Sequence, residues 1–264
     1  MTKKTVLALA ALSFLLVPFL ALAGPTSFAV VSDTHVGAPD SVYTEFIRIM
    51  DEKQIKVIIH AGDAINNPGR TRQWGTFFQI TGPDKILHLA PGNHDIHGKN
   101  SLAVYLKFFP KLYYSFSDGD THFILLNTEL PGEESRIAGE QLEWLKVELQ
   151  RPFKYKFVIL HEPPFPFVPG HALDRYAEAR DRLHSLFEQQ GVSLVVSGHD
   201  HIYNRSMKGG IIYVIAAGGG GLSRSVEQSL FGFRYIMAAR TDRGWAFIVK
   251  DMEGHTADEF VISR

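Results

Sequence analysis

Five short hydrophobic runs in this sequence each end just before residues that commonly bind metal ions. They are Phe28–Val31 before Asp33 and His35, Val57–Ile59 before Asp63, Ile86–Leu89 before Asn93, Phe157–Leu160 before His161, and Leu194–Val196 before His199 and His201. Such runs, alternating with helix-like segments, are typical of the strands of an α/β sheet. Because ligands of open α/β sheets bind beyond the carboxyl ends of the strands, we expect these polar residues to form one site.

The remaining segments also favour an α/β fold up to about residue 201. Apolar spacing predicts a helix that Asp40 or Ser41 caps and that runs through Lys53, and further helices over 138–150 and 173–190. His122–Asn127 and Lys156–Leu160 are predicted strands. After residue 210 the pattern predicts short strands without helices, forming an antiparallel meander that completes a second sheet; they are Ile211–Ala216, Phe233–Ala239, Trp245–Lys250 and Glu259–Ile262.

The first 23 residues are typical of an export signal. Lys3 and Lys4 precede the apolar stretch Val6–Leu22, and Ala21-Leu22-Ala23 matches a small-x-small cleavage site, so we expect cleavage before Gly24. The alternative is an uncleaved membrane anchor, which the cleavage site and Pro18 argue against. We therefore predict an exported protein, periplasmic or secreted, with one domain over 24–264 and no stable membrane association after cleavage.

Composition excludes several other functions. The formal net charge is −1, which gives no basis for binding nucleic acid through bulk electrostatics. The chain has no cysteine, which excludes disulfides, iron–sulfur clusters and thiol catalysis. It also has no G-x-S-x-G elbow and no Walker A loop.

The strand-end residues are too many for a single metal ion. One zinc ion needs three or four protein ligands, whereas two ions that share a carboxylate would use all seven candidates. Two divalent ions beside two aspartates leave net positive charge, which attracts phosphate and hydroxide. Mixed imidazole and carboxylate ligands favour manganese, iron, zinc or cobalt over calcium and magnesium. The alternative is that each histidine is a structural residue, and we expect this for His60, His88, His122, His184 and His255.

These blocks, in this order, resemble the calcineurin-like metallophosphoesterase superfamily. They are Asp-x-His at 33–35, Gly-Asp at 62–63, Gly-Asn-His-Asp at 92–95, a histidine after a strand at 161 and Gly-His-x-His at 198–201. The resemblance implies a four-layer α/β/β/α sandwich, in which two mixed sheets are flanked by helices and a dinuclear site lies at the strand ends. It implies one metal held by Asp33, His35, Asp63 and His201, and a second held by Asp63, Asn93, His161 and His199.

The same resemblance implies hydrolysis of a small phosphate ester by a metal-bound hydroxide. His94 would protonate the leaving oxygen or stabilise the transition state, and Asp95 would orient His94, unless Asp95 only forms the turn. Asn66 stands where purple acid phosphatases have an iron-binding tyrosine, so we expect no purple colour; the other blocks are more similar to small phosphodiesterases. Phosphodiesters and phosphomonoesters both stay open as substrates. The alternative function is a non-catalytic metal- or phosphate-binding protein on the same scaffold.

Substrate contacts are less well indicated by the sequence. The stretch Glu162–Phe167 beside His161 is either an aromatic wall that stacks a ring of the substrate or, as we favour, an irregular loop that holds His161. Asp200, between two candidate ligands, is expected to face away from the metals.

Overall fold

Two six-stranded sheets form the centre of the computed structural model, which describes residues 27–216, 218–220 and 232–264. The strands in these ranges are β1 (Ser27–Val31), β2 (Val57–His60), β3 (Ile86–Leu89), β4 (Tyr114–Asp118), β5 (Thr121–Leu125), β6 (Tyr155–Ile159), β7 (Leu194–Ser197), β8 (Asn204–Lys208), β9 (Ile211–Ile215), β10 (Arg234–Thr241), β11 (Gly244–Asp251) and β12 (Thr256–Ile262). The first sheet has the order β12-β11-β10-β1-β2-β3 and the second β4-β5-β6-β7-β9-β8. The expected export signal at 1–23 lies outside the described residues.

Both sheets are mixed. The strands β1, β2 and β3 are parallel, and β10 to β12 are antiparallel to their neighbours. In the second sheet β5, β6, β7 and β9 are parallel, and β4 and β8 are antiparallel at its edges. The central parallel strands β5, β6 and β7 are mostly apolar and are buried at every position, as expected for strands covered on both faces.

The helices cover the outer faces of the two sheets. They are α1 (Tyr43–Glu52), α2 (Thr71–Thr81), α3 (Asn93–Ile96), α4 (Ser101–Tyr105), α5 (Gly139–Leu149) and α6 (Ala177–Gln189), the last preceded by a 3₁₀ turn at Leu173–Tyr176. One apolar cluster, with Phe28, Phe157 and Trp245, lies between the sheets. A second packs α1 and α2 on the first sheet, and a third packs α5 and α6 on the second. The predicted α/β/β/α sandwich is therefore confirmed.

The sequence-based description of the C-terminal strands was wrong in one respect. Only β9, with β8, belongs to the second sheet, whereas the meander of β10, β11 and β12 extends the first sheet. Within that sheet β10 pairs with β1, and Ile236 lies opposite Val30. Pairing between residues so far apart along the chain is not visible in a local pattern.

The predicted cap of α1 was also wrong. The hydroxyl of Ser41 donates to the carbonyl of Thr34 at 2.6 Å, and the helix begins after Val42 without a side-chain cap. Ser41 therefore holds the turn after β1, where two of the candidate ligands lie. In the described part of the chain no helix is long and apolar enough to cross a membrane.

Candidate metal centre

All seven candidate ligands lie at the carboxyl ends of parallel strands. Asp33 and His35 follow β1, and Asp63 and Asn93 follow β2 and β3 in the same sheet. From the second sheet, His161 follows β6, and His199 and His201 follow β7. The structure therefore brings together candidate ligands that are spread over residues 33 to 201 of the sequence. Both sheets contribute to the site.

Four of these residues form a first, compact group. The ligand atoms of Asp33, His35, Asp63 and His201 lie within 4.8 Å of one another. Nε2 of His201 is 3.2 Å from Nε2 of His35 and 3.4 Å from Oδ1 of Asp33. Two imidazole nitrogens that face each other beside two carboxylates are an arrangement that a bound cation would stabilise.

The second group surrounds Nε2 of His161. This atom is 3.1 Å from Oδ1 of Asn93, 3.2 Å from Nδ1 of His199 and 3.4 Å from Oδ2 of Asp63. The same Oδ2 of Asp63 lies 3.8 Å from Nε2 of His35 in the first group. Asp63 is therefore placed between the two groups, where a carboxylate shared by two ions would be.

Five of the seven residues have a left-handed backbone. The φ angles are 52° at Asp33, 42° at His35, 56° at Asp63, 73° at His199 and 53° at His201. Such angles cost about 1–2 kcal/mol for a residue with a side chain, and they persist where the surrounding structure holds them. Here they turn the chain sharply as it leaves each strand, so that the side chains point towards the site.

Backbone contacts keep the ligands in place. The amide of His199 donates to both carboxylate oxygens of Asp33, at 3.0 and 3.1 Å. Gly198 has no space for a Cβ atom, which would overlap the carboxylate of Asp33. Nδ1 of His161 lies 2.9 Å from the carbonyl of Ala61, which fixes the tautomer and leaves Nε2 for the site.

The protonation states suit metal binding at most positions. Burial favours a neutral carboxyl at Asp33, but the neighbouring His201 outweighs it and holds the pKa of Asp33 at about 2. Burial lowers the pKa of His35, and also that of His199, to about 4, so both rings are neutral at pH 7. At His161 burial opposes protonation, yet the Asp63 carboxylate raises the pKa well above its usual value. A metal ion bound there would displace a proton.

The donor set fits a pair of transition-metal ions. Four imidazoles, two carboxylates and one amide converge, and each group contains nitrogen and oxygen donors. Manganese, iron and zinc accept this mixture, while calcium and magnesium prefer oxygen alone. The two buried carboxylates, 0% and 2% exposed, would also be neutralised by bound cations.

His94 lies beside this centre, but its partner differs from the expected one. Nδ1 of His94 is 2.6 Å from the carbonyl of Asn66, and its amide donates to Oδ1 of Asp63 at 2.8 Å. The prediction that Asp95 orients the His94 ring was wrong. The buried Asp95 carboxylate instead accepts from four backbone amides, those of Asp63, Ala64, Ile65 and Gly92. Asp95 therefore holds the two ligand-bearing turns together.

Asp200 faces away from the metal group and has a structural partner. Its Oδ2 accepts from the amide of Phe167 at 2.6 Å, and its Oδ1 lies 3.7 Å from Nδ1 of His171. The loop after His161 is therefore attached to the end of β7. Phe165 of this loop packs on Tyr213, 4.9 Å between ring centroids, so the irregular-loop interpretation fits better than an aromatic wall.

A pocket of about 460 Å³ opens beside the second group of ligands. Asn93, His94 and His199 line one part of it, and Glu129 and Glu162 line another. Burial and the adjacent Glu162 raise the pKa of Glu129 to about 8. Sequence reasoning missed this carboxylate pair, although each residue follows the carboxyl end of a parallel strand and could have been found by the rule that indicated the metal ligands.

Comparison with known proteins agrees with the fold and identifies the family. The family model described as calcineurin-like phosphoesterase matches residues 26–203. Purple acid phosphatase 15 of Arabidopsis thaliana is 28% identical over 185 residues, 59% of this chain and 34% of that protein. The chain thus spans about a third of the length of this curated relative.

Solved structures show the same fold. A purple acid phosphatase from yellow lupin seeds has a TM-score of 0.72 at 19% identity, covering 90% of this chain and 54% of that one. A dimetal phosphatase from Danio rerio has a TM-score of 0.65 at 14% identity, covering 90% of this chain and 98% of that one. Because the family model matches most of the sequence, and the five blocks meet in one site on this fold, the chain belongs to the calcineurin-like phosphoesterase family.

Proposed function

We propose that this chain is a phosphoesterase that hydrolyses small phosphate esters with two metal ions. The observation that carries the proposal is the pair of ligand groups on either side of Oδ2 of Asp63. Asp33, His35 and His201 would hold one ion with Asp63, and the other would be held by Asp63 together with Asn93, His161 and His199. A shared carboxylate of this kind is the arrangement of two-metal hydrolytic sites.

Bound manganese, iron or zinc ions would supply a water activated at neutral pH and would stabilise charge on the phosphoryl oxygens. Side chains of the protein would transfer the proton and hold the ligands in position. The carbonyl of Asn66 accepts from Nδ1 of His94, so Nε2 of the imidazolium form is the nitrogen that would pass a proton to the leaving oxygen. Asp95 keeps the ligand turns of Asp63 and Gly92 in register through its amide contacts.

Activity on phosphomonoesters, phosphodiesters or both is compatible with the pocket beside His94. The decisive experiment compares 4-nitrophenyl phosphate with bis(4-nitrophenyl) phosphate, using the manganese-loaded protein, Asp63→Asn and the exposed-site variant His255→Ala. Turnover by the wild-type protein and His255→Ala that is lost in Asp63→Asn supports the proposal, and the ratio of the two rates identifies the ester class. Bound metal without turnover of either ester would favour the metal- or phosphate-binding alternative.

We also propose that the protein is exported and that it acts on small molecules in the periplasm or outside the cell. The proposal is supported by the basic start and apolar stretch at residues 3–22 and by the cleavage pattern at Ala21-Leu22-Ala23. Mass spectrometry of the protein recovered from the expressing cells tests it. A chain that begins at Gly24 supports export, and one that retains Val6–Leu22 would favour an anchor.

A further inference from the structure

We propose that a cleft between α5 and α6 binds an alkyl chain on the leaving group, so that the preferred substrates are phosphate esters of alcohols with a hydrocarbon chain. This inference rests on the proposed phosphoesterase function and names its substrate class. The cleft is separate from the pocket beside the metal centre, and none of the predicted metal ligands lines it.

The cleft is formed by one face of each of the two helices. Its volume is about 610 Å³, within the range of small-molecule sites. Residues four apart on a helix share one face, and on α5 this face carries Leu142 and Lys146, with Ala138 just before the helix. The lining residues of α6 also lie three or four apart; they are Ala179, Arg182, Leu183 and Leu186. The two faces therefore line one space, which the helices leave open.

The lining of the cleft is suited to hydrocarbon. Leu142 and Leu186 pack on the third apolar cluster but are only partly buried, so they present apolar surface to the cleft. The cations of its rim are balanced by acidic neighbours on the same helix; the pairs are Lys146 with Glu143 at 2.7 Å and Arg182 with Glu178 at 3.6 Å. A ligand therefore meets apolar surface beside paired charges, and burial of methylene groups is the main gain available to it.

The cleft adjoins the pocket beside the metal centre at two places along the chain. Ser135 lines that pocket, and Arg136, the next residue, lines the cleft. Arg175 and Tyr176 repeat this change from one space to the other. Cζ of Arg136 lies 4.5 Å from the centre of the Tyr176 ring, so the two boundary residues also contact each other. An alkyl chain that leaves the first pocket can reach the cleft across the exposed Tyr176 ring.

The leaving group is the part of the substrate that carries this chain. His94, the predicted proton donor, lines the same pocket as Ser135 and Arg175, and the leaving oxygen has to come within hydrogen-bond reach of it. A chain on that oxygen therefore starts in this pocket, and the adjoining cleft can take its remainder. In the hydrolysis, water adds to phosphorus, the P–O bond to the leaving group breaks, and the leaving oxygen takes up a proton to give the alcohol.

Binding of two non-hydrolysable phosphonates tests the cleft without turnover. We would measure by calorimetry the affinity of octylphosphonate and ethylphosphonate for the manganese-loaded protein, below the concentration at which octylphosphonate forms micelles. The two ligands share the head group and differ only in chain length. We expect octylphosphonate to bind roughly 10- to 100-fold more tightly, a ratio that corresponds to the burial of about two to three methylene groups. Chelation of the manganese should weaken both, because the head group is expected at the metal centre.

Two variants change the cleft in different ways. Leu186→Gln replaces an apolar lining side chain by a polar one, and Ala179→Phe fills the cleft from the same face of α6. Each should reduce the octyl advantage below about threefold and leave the affinity for ethylphosphonate within about twofold of the wild-type value, which also shows that the variant is folded. Val147→Gln is the matched control on α5, since Val147 is 63% exposed and lines neither space, and it should keep the full advantage.

Three results would overturn the proposal. One is an octyl advantage below about threefold in the wild-type protein, or one that persists in Ala179→Phe. Another is octylphosphonate affinity that survives chelation, because the chain would then bind away from the metal centre. The third is a wild-type dimer that Ala179→Phe dissociates in analytical ultracentrifugation, since a second copy of the chain would then occupy the cleft.

The two proposals fail separately. Hydrolysis of nitrophenyl esters by a protein that binds both phosphonates equally would reject the alkyl site and leave the phosphoesterase function intact. A metal-dependent octyl advantage that both cleft variants remove would support the alkyl site even in a protein that hydrolyses neither nitrophenyl ester, because calorimetry reports binding alone.

Discussion

Asp63 is the residue on which the site depends most. Its side chain is 2% exposed, its φ angle is 56°, and its two oxygens have different partners. Oδ1 accepts from the amide of His94, while Oδ2 faces both ligand groups. The Asp63 carboxylate thus contacts both predicted metal positions and the backbone of the predicted proton donor. A change at Asp63 should therefore affect metal binding and hydrolysis together.

Asp63→Asn should reduce bound metal from about two ions per chain to one or fewer and abolish ester hydrolysis. The amide keeps the size of the side chain but removes the negative charge that would offset two cations. Elemental analysis of the purified protein after loading and desalting measures the metal content. A fully loaded, active Asp63→Asn protein would show that this carboxylate is not shared.

His94→Ala should lower turnover by about 10²–10⁴-fold and leave the metal content unchanged, because His94 is predicted to move a proton rather than to bind an ion. The check is steady-state kinetics beside elemental analysis, with His255→Ala as the control at an exposed site. Wild-type turnover in His94→Ala would remove the residue from the mechanism, and loss of metal would indicate a role as a ligand.

At the scale of strands and helices, local pattern predicted the site better than it predicted the sheets. Each ligand position depends on an apolar run and the polar residue that follows it, and both lie within one short stretch of sequence. The sheet that β10 joins depends instead on pairing with β1, more than 200 residues away, and no local signal encodes that choice. The orientation of Asp95 was missed for the same reason, since its amide partners at 63–65 come from another turn.

The edge strands β3 and β4 are joined across the two sheets by His88 and Phe116. The rings are stacked, with centroids 3.6 Å apart and planes at 9°. Burial lowers the pKa of His88 from 6.5 to about 4. The unfolded chain therefore takes up a proton at this position before the folded chain does as the pH falls, and stability is lost below about pH 6.5.

His88→Phe should reduce this loss, because the variant keeps an aromatic ring for stacking and cannot be protonated. Between pH 6.5 and 5 the wild-type protein should lose roughly 1–2 kcal/mol more free energy of unfolding than the variant. Urea unfolding at a series of pH values measures it, and the two proteins should change in parallel above pH 7.5. Parallel curves over the acidic range as well would mean that His88 titrates normally in the folded protein.

At the scale of the whole molecule, the predicted metal ligands connect the two sheets. Asp33, His35, Asp63 and Asn93 come from the first sheet, and His161, His199 and His201 come from the second. Without cations, the buried carboxylates of Asp33 and Asp63 face each other's charge at this junction. Metal ions would thus act on the packing of the sandwich as well as on catalysis.

Metal removal should therefore lower the thermal stability of the entire domain. An ion present at about 100 times its Kd stabilises the folded state by about 2.7 kcal/mol, which for a domain of this size corresponds to a Tm difference of roughly 5–10 °C. Scanning calorimetry of the manganese-loaded protein, before and after treatment with a chelator, measures this difference. Asp63→Asn should show a smaller one, because it holds fewer ions and already lacks one of the buried charges. A Tm that does not respond to the chelator in the wild-type protein would mean that the sheets are held together without the metals and that the site has a purely chemical role. An equal response in Asp63→Asn would mean that the Asp63 carboxylate does not contribute to the stabilisation by metal ions.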